Sequence, residues 1–332
     1  MPIGENDLEP LDPKAATKLF LEHKAVNCTE STVQNHRYRL KHFLAWCDEE
    51  GIDNLNDLSG REIQRYRLWL GEKEDLNKLT IKNMLSGLRV FLKWSASVEA
   101  VPENLYTKLM IPRVKRSERS RNELLESERA EEILEYLSKY QYASTEHVII
   151  ALLWETGMRV GAANSIDIQD VDCDRESLQL EHRPDQGTTL KNGNSGERLI
   201  AITTELARLI EDYVETNRDP ITDEFGREPL FTTAHGRMHR NSIRRTVYRV
   251  TSPCYIDKEC PDCKQDPDKK CPEAANPHAI RRGSITHFLT NDVPVDIVGD
   301  RMNVSRDVLE EHYDERSPEV KAEQRRKYLD NI

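Results

Sequence analysis

The sequence predicts a mainly α-helical protein with one small antiparallel β-sheet, built as a helical N-terminal domain followed by an α+β domain. Three observations predict it. Apolar residues recur at helical spacing through most of the chain. Strand-like alternation is confined to residues 177–203. A basic, Ser-rich stretch at 113–121 separates two segments that can each bury a core.

The elements follow in order. Residues 1–12 read as a loose acidic tail and 13–112 as helices. Thr29-Glu30-Ser31-Thr32 supplies N-cap residues before a helix whose stripe is Val33, Tyr38, Leu40, Phe43, Leu44 and Trp46, with Gly51 as its stop. Further helices are predicted near 59–71 and 78–98. In the linker, Arg113, Lys115 and Arg116 lead five bases against one acid, which suits a strap lying on phosphates. The second domain, 122–332, starts with an amphipathic helix at 127–139. The run 148–157 is apolar all round, so it predicts a buried helix ending at Gly157. In 177–203, Leu178 and Leu180 alternate with polar residues, and Leu199, Ile200 and Ile202 follow a turn whose Asn192-Gly193 step is a hairpin signal. Helices are expected near 203–217, 240–250, 281–291, 294–302 and 306–314.

Composition narrows the class. No apolar run reaches the roughly 18 residues of a membrane span, and the N-terminus lacks the basic and apolar regions of a signal peptide. A cytoplasmic protein with no membrane partner is expected. The net charge of -11 is the wrong overall sign for a nucleic-acid binder. Net charge, however, governs solubility and steering rather than a local site. Such acidity also suits a protein kept soluble in high salt.

Three motifs carry chemistry suited to metal-free phosphodiester exchange. That reaction needs guanidinium groups on the non-bridging oxygens, an in-line nucleophile, and an acid for the departing 5′ oxygen. Thr156-Gly157-Met158-Arg159 can hold an Arg over a cleft. In His278-Ala279-Ile280-Arg281-Arg282, His278 and Arg281 share a helix face behind Pro277. Glu310-Glu311-His312-Tyr313 ends a late helix. Each motif alone is ordinary.

Taken in order, they resemble the tyrosine recombinase (phage integrase, Xer-like) family, and most closely its archaeal, halophile-type integrases. That family has a Thr-Gly-x-Arg box, a hairpin lysine, a His-x-Leu-Arg box and then a tyrosine. Here these are TGMR at 156–159, LKNGNSGERLIAI at 190–202, HAIRR at 278–282 and Tyr313, which lies 32 residues after Arg281. The helical N-terminal segment likewise looks like the family's SAM-like core-binding domain. The resemblance implies that Arg159 and Arg281 bind the scissile phosphate and that Lys191 protonates the 5′ leaving group. It implies that His278 assists proton transfer and that Tyr313 forms a 3′-phosphotyrosyl intermediate. It also implies double-stranded DNA as partner and a homotetramer on two duplexes, with residues after about 317 docking on a neighbour. Two positions depart from the pattern. Ala162 stands where the family has Glu, and Asn303 where it has a second His or Trp. Asn303 can hydrogen-bond a phosphate oxygen but cannot exchange a proton at neutral pH.

Two further stretches stand out. Residues 235–249 contain Arg237, Arg240, Arg244, Arg245 and Arg249 and no acid, which in so acidic a chain points to DNA contact. Cys254, Cys260, Cys263 and Cys271 form a C-x5-C-x2-C-x7-C insertion that suits a structural Zn²⁺ with no open position for catalysis. Catalysis itself is expected to need neither cofactor nor ATP. The expected function is site-specific DNA integration or excision. The alternatives are a DNA-binding regulator that kept the fold and lost the chemistry, or a type IB topoisomerase.

Overall fold

A computed structural model describes residues 8–72, 76–114, 124–260, 271–314, 316–326 and 329, in two compact units, Met1–Asn122 and Glu123–Ile332.

The first unit holds α1 (Pro13–Asn27), α2 (Glu30–Glu50), α3 (Gly60–Glu72) and α4 (Lys78–Ser97). The Asp12 side chain accepts from the Ala15 N–H at 2.8 Å, and Asn77 caps α4 through the Thr80 N–H. The core is aromatic. Phe20 meets Phe91 edge-on at 5.4 Å and Phe43 meets Tyr66 at 5.5 Å. Within α2, Val33, Leu40, Phe43 and Trp46 are buried, whereas Tyr38 lies on the solvent side. The expectation of a loose tail over 1–12 is corrected for residues 8–12. Glu9 N–H donates to Glu99, and the Leu11 carbonyl accepts from Leu55, both at 2.9 Å.

The second unit runs α5 (Ser127–Tyr140), α6 (Thr145–Thr156), α7 (Val160–Ser165), β1 (Val171–Asp172), β2 (Ser177–Leu180), β3 (Arg198–Ala201) and α8 (Thr204–Thr216). It continues with β4 (Thr232–Thr233), β5 (Gly236–Arg237), α9 (Arg240–Val250), α10 (Pro277–Thr290), α11 (Val295–Met302), α12 (Arg306–His312) and α13 (Pro318–Arg326). Helix α6 is apolar all round because α5, α8, α9 and α10 all pack against it. It ends at Gly157, whose φ of 56° is left-handed. A Cβ there would also meet the Met302 sulfur at 2.5 Å.

The sheet is β1-β2-β3, antiparallel, with Leu178 opposite Ile200 and Leu180 opposite Arg198. The tight hairpin expected at Asn192-Gly193 does not form. The strands stop at Leu180 and resume at Arg198, leaving a long connection. Its reason lies in the backbone. A two-residue turn of this kind needs positive φ at both central residues. Asn192 has φ -105° and only Gly193 is positive. Strands β1, β4 and β5 were not predicted, because two-residue strands show no alternation.

A buried ion-pair network braces this connection. Arg183 grips Asp170 at 2.5 and 2.9 Å, and Arg227 reaches Asp167 at 3.3 Å and Asp223 at 3.2 Å. Arg237 pairs with Asp167 and, at 2.8 Å, with Asp223.

Helix α10 approaches the 124–126 segment very closely. A Cβ on Gly283 would lie 2.0 Å from the Leu125 carbonyl oxygen. Gly283→Ala should therefore lower stability by about 1–3 kcal/mol through overpacking, read as a lower melting temperature by calorimetry. An unchanged melting temperature would show that this backbone yields freely. No helix among the described residues is long and apolar enough to cross a membrane.

Candidate active site

Helix α10 starts where its cap dictates. The Asn276 side chain accepts from the His278 and Ala279 N–H groups at 2.9 and 3.0 Å, with Pro277 in the first turn. The helix thus begins several residues before the expected 281, and His278 and Arg281 sit one turn apart near its N-terminus. Arg281 is 2% exposed. It donates to the Gly157 carbonyl at 2.5 Å and to the Met302 carbonyl at 2.8 Å. One guanidinium thereby ties the end of α6 to the end of α11.

Tyr313 caps α12 as part of a small apolar cluster with Ile285, Leu289, Val298, Met302, Val304 and Leu309. Its ring lies 5.4 Å from that of His278 and 5.5 Å from the Arg281 guanidinium. Arg159, the N-cap of α7, extends Nη1 to within 3.5 Å of the Asn303 carbonyl oxygen. Four of the expected residues, Arg159, His278, Arg281 and Tyr313, thus meet around the 302–303 corner.

Two arginines missed in the sequence complete this ring. Arg198 on β3 donates to the Arg301 carbonyl at 2.8 Å and the Gly196 carbonyl at 2.9 Å. Arg301 donates to the carbonyls of Ala201 and Glu155. Burial, with Arg281, Arg159 and Arg301 close by, brings the Arg198 guanidinium down to about 10. Burial and the Arg159 charge likewise bring Arg281 down to about 10. Both stay charged at neutral pH, so the corner concentrates positive charge in a place partly shielded from water. An anion is what such a corner is built to receive.

Lys191 is exposed, past the middle of the connection between β2 and β3. Its neighbour Asn192 donates to the Asn303 side-chain oxygen at 2.7 Å, and Asn303 Nδ2 donates to the Ser195 carbonyl at 2.8 Å. Asn303, whose amide can hydrogen-bond a phosphate oxygen, here bonds to the 192–196 turn. Ala162 is buried and brings no carboxylate to the corner.

The basic stretch divides. Arg237 is largely buried between Asp167 and Asp223, so the expectation of a cation open to DNA is corrected there, whereas Arg249 pairs with Glu146 and stays exposed. Arg240 donates to the Thr189 carbonyl at 3.2 Å and to Asn164 at 3.3 Å, bracing the approach to Lys191. Arg244 and Arg245 are exposed on α9, and Arg113 is exposed in the first unit. Lys115, Arg116 and Cys263 lie outside the described residues. Cys260 and Cys271 bring their sulfurs to 3.5 Å. Among the described residues no group of three or more His, Cys, Asp or Glu is arranged for a metal.

A helical unit is thus followed by an α+β unit that brings a buried arginine, a histidine and a tyrosine to one corner. The model of the phage integrase family matches residues 123–317, and that of the phage integrase N-terminal SAM-like domain matches 18–97. The chain belongs to the phage integrase family and is a tyrosine recombinase, an enzyme of site-specific DNA recombination. It is 24% identical over 279 residues to a tyrosine recombinase of Pseudothermotoga lettingae, covering 83% of this chain and 84% of the relative. To the tyrosine recombinase XerC of Bacillus subtilis it is 28% identical over 289 residues, covering 83% of each. In fold it is similar to the Tn1549 transposon integrase in complex with transposon right end DNA, at TM-score 0.67 and 14% identity over 96% of this chain and all of that one (100%). It is also similar to a lambda integrase dimer bound to a COC′ core site, at TM-score 0.64 and 12% identity, covering 92% and 78%.

Proposed function

We propose that Tyr313 attacks a scissile phosphate held between Arg159 and Arg281, cutting one DNA strand and storing the bond as a 3′-phosphotyrosine. The Tyr313 Oη–P bond forms as the P–O5′ bond breaks. His278 takes the tyrosine proton, and Lys191 gives a proton to the leaving 5′ oxygen. The reverse sequence, with a new 5′-hydroxyl, joins the strands. Bond energy is kept throughout, so ATP has no role in the balance. The observation that carries this reading is the meeting of Arg159, His278, Arg281 and Tyr313 at one cation-rich corner.

Exchange between two duplexes cuts four strands, so four tyrosines are needed, and a homotetramer on DNA meets that need. Arg244 and Arg245, with Arg113, Lys115 and Arg116, are assigned to phosphates. Integration or excision in the cytoplasm of a high-salt archaeon fits the acidic composition.

The test is a duplex nicked near the cut site, so that the released fragment diffuses away and religation fails. Protein covalently linked through Tyr313 to a 3′ phosphate, formed without added metal or ATP, is the expected product. Binding with no adduct at any salt concentration would instead make the chain a DNA-binding regulator.

We further propose that Cys254, Cys260, Cys263 and Cys271 hold one structural zinc. Two thiolates at a Zn–S distance of about 2.3 Å in tetrahedral geometry lie roughly 3.8 Å apart, near the separation of Cys260 and Cys271. Purified protein should carry close to one zinc per chain by atomic emission, and chelation should lower its melting temperature. Metal-free protein with an unchanged melt after zinc addition would sink this assignment.

A further inference from the structure

We propose that Asn303 is a positioning residue that latches the Lys191 turn over the active site, so that it acts on leaving-group protonation rather than on the phosphate. This rests on the reading of Lys191 as the acid.

The connection that carries Lys191 spans from Leu180 to Arg198, and Lys191 itself is exposed. Its base is held. Arg240 donates to the Thr189 carbonyl, and the Leu190 N–H donates to His182 Nδ1 at 3.0 Å. Beyond Lys191, Asn303 supplies two contacts to the tip, one to Asn192 and one to Ser195. These join residues 111 and 108 positions apart in the chain. The orientation of the amide is determined chemically. The Ser195 carbonyl can only accept, so the nitrogen end must face it and the oxygen end must face Asn192.

The latch also has a firm base. Asn303 is left-handed, at φ 50° and ψ 65°, a conformation Asn tolerates better than most residues. The carbonyl before it, of Met302, accepts from Arg281, and its own carbonyl lies 3.5 Å from Arg159. The backbone that carries the latch is therefore held by the two arginines assigned to the phosphate. Positioning of Lys191 is thereby coupled to positioning of the clamp.

Asn303→Gly removes the amide and keeps the left-handed backbone without strain. Asn192→Ala removes one contact from the other side. Single-turnover cleavage of the nicked duplex is compared with the same duplex carrying sulfur in place of the bridging 5′ oxygen. A thiol ionises near pH ~8.5, so a thiolate leaves without an acid. On oxygen, each variant should cleave on the order of tenfold more slowly, the scale of one or two hydrogen bonds. The double variant should be no slower than the worse single one, because both break the same latch. On sulfur, Asn303→Gly, Asn192→Ala and Lys191→Ala should all approach the wild-type rate, while Arg281→Lys stays slow.

If Lys191→Ala is restored by sulfur and Asn303→Gly is not, Asn303 acts elsewhere and the latch is wrong. An Asn303→Gly protein with wild-type rate on oxygen also overturns it. If Lys191→Ala itself stays slow on sulfur, the acid assignment fails and the latch falls with it. Melting curves for each variant separate loss of fold from loss of positioning.

Discussion

Tyr313→Phe is expected to bind DNA with near wild-type affinity and to form no covalent adduct. The substitution removes one atom, Oη, and leaves the ring in its apolar cluster with Ile285, Leu289, Met302 and Leu309. Stability should therefore change little, because the buried area is kept. The rate of strand cleavage should fall by roughly four to six orders of magnitude, the scale seen when a nucleophile is deleted from a covalent mechanism. A gel shift for affinity, denaturing electrophoresis of the nicked duplex for cleavage and a melting curve for stability measure all three on one preparation. A persisting adduct would mean another nucleophile, and peptide mapping would identify it. Tyr328 is then the first residue to check, although it lies outside the described residues.

Arg281→Lys is the second large effect. The native guanidinium holds two carbonyls at once, Gly157 and Met302, and keeps its charge in a site 2% exposed. An ammonium is a point charge and cannot reproduce that fork. One carbonyl loses its charged partner, which should lower stability by about 1–3 kcal/mol. Cleavage should slow by roughly 10²- to 10³-fold, as when one donor is removed from a charge-stabilising site. The neighbouring Arg159 cannot compensate, because its own position depends on the same 302–303 corner. A variant that cleaves within fivefold of wild type would show that Arg281 serves the fold alone.

Much of this site was legible in the chain alone. Helix α6 was readable because an all-apolar run ending in Gly suits a buried, capped helix and little else. The α10 box was readable because Pro277 favours a helix start nearby, although the Asn276 cap that sets the start was not read. Tyr313 was legible only through order and spacing, since its own surroundings in sequence are ordinary. The acidic composition pointed away from DNA, and the local clusters corrected that.

The remainder depended on partners remote in sequence. Arg237 looks identical to Arg244 along the chain, yet it meets Asp167 and Asp223 while Arg244 faces solvent. Arg198 and Arg301 gave no motif, because their role is to bond backbone carbonyls, and any residue can supply a carbonyl. For Asn303, the chain revealed an odd residue at a family position and suggested a phosphate contact. The fold turned its amide toward Asn192 and Ser195 instead. By itself the sequence determined most of the helices, their order and the residue types able to do the chemistry, because periodicity and caps act within a few residues; the helix Pro318–Arg326 was not read. Only the tertiary structure decided which charges are cancelled and which remain open, and where the Lys191 turn comes to rest, because hydrogen bonds and ion pairs act over a few ångströms between residues remote in the chain.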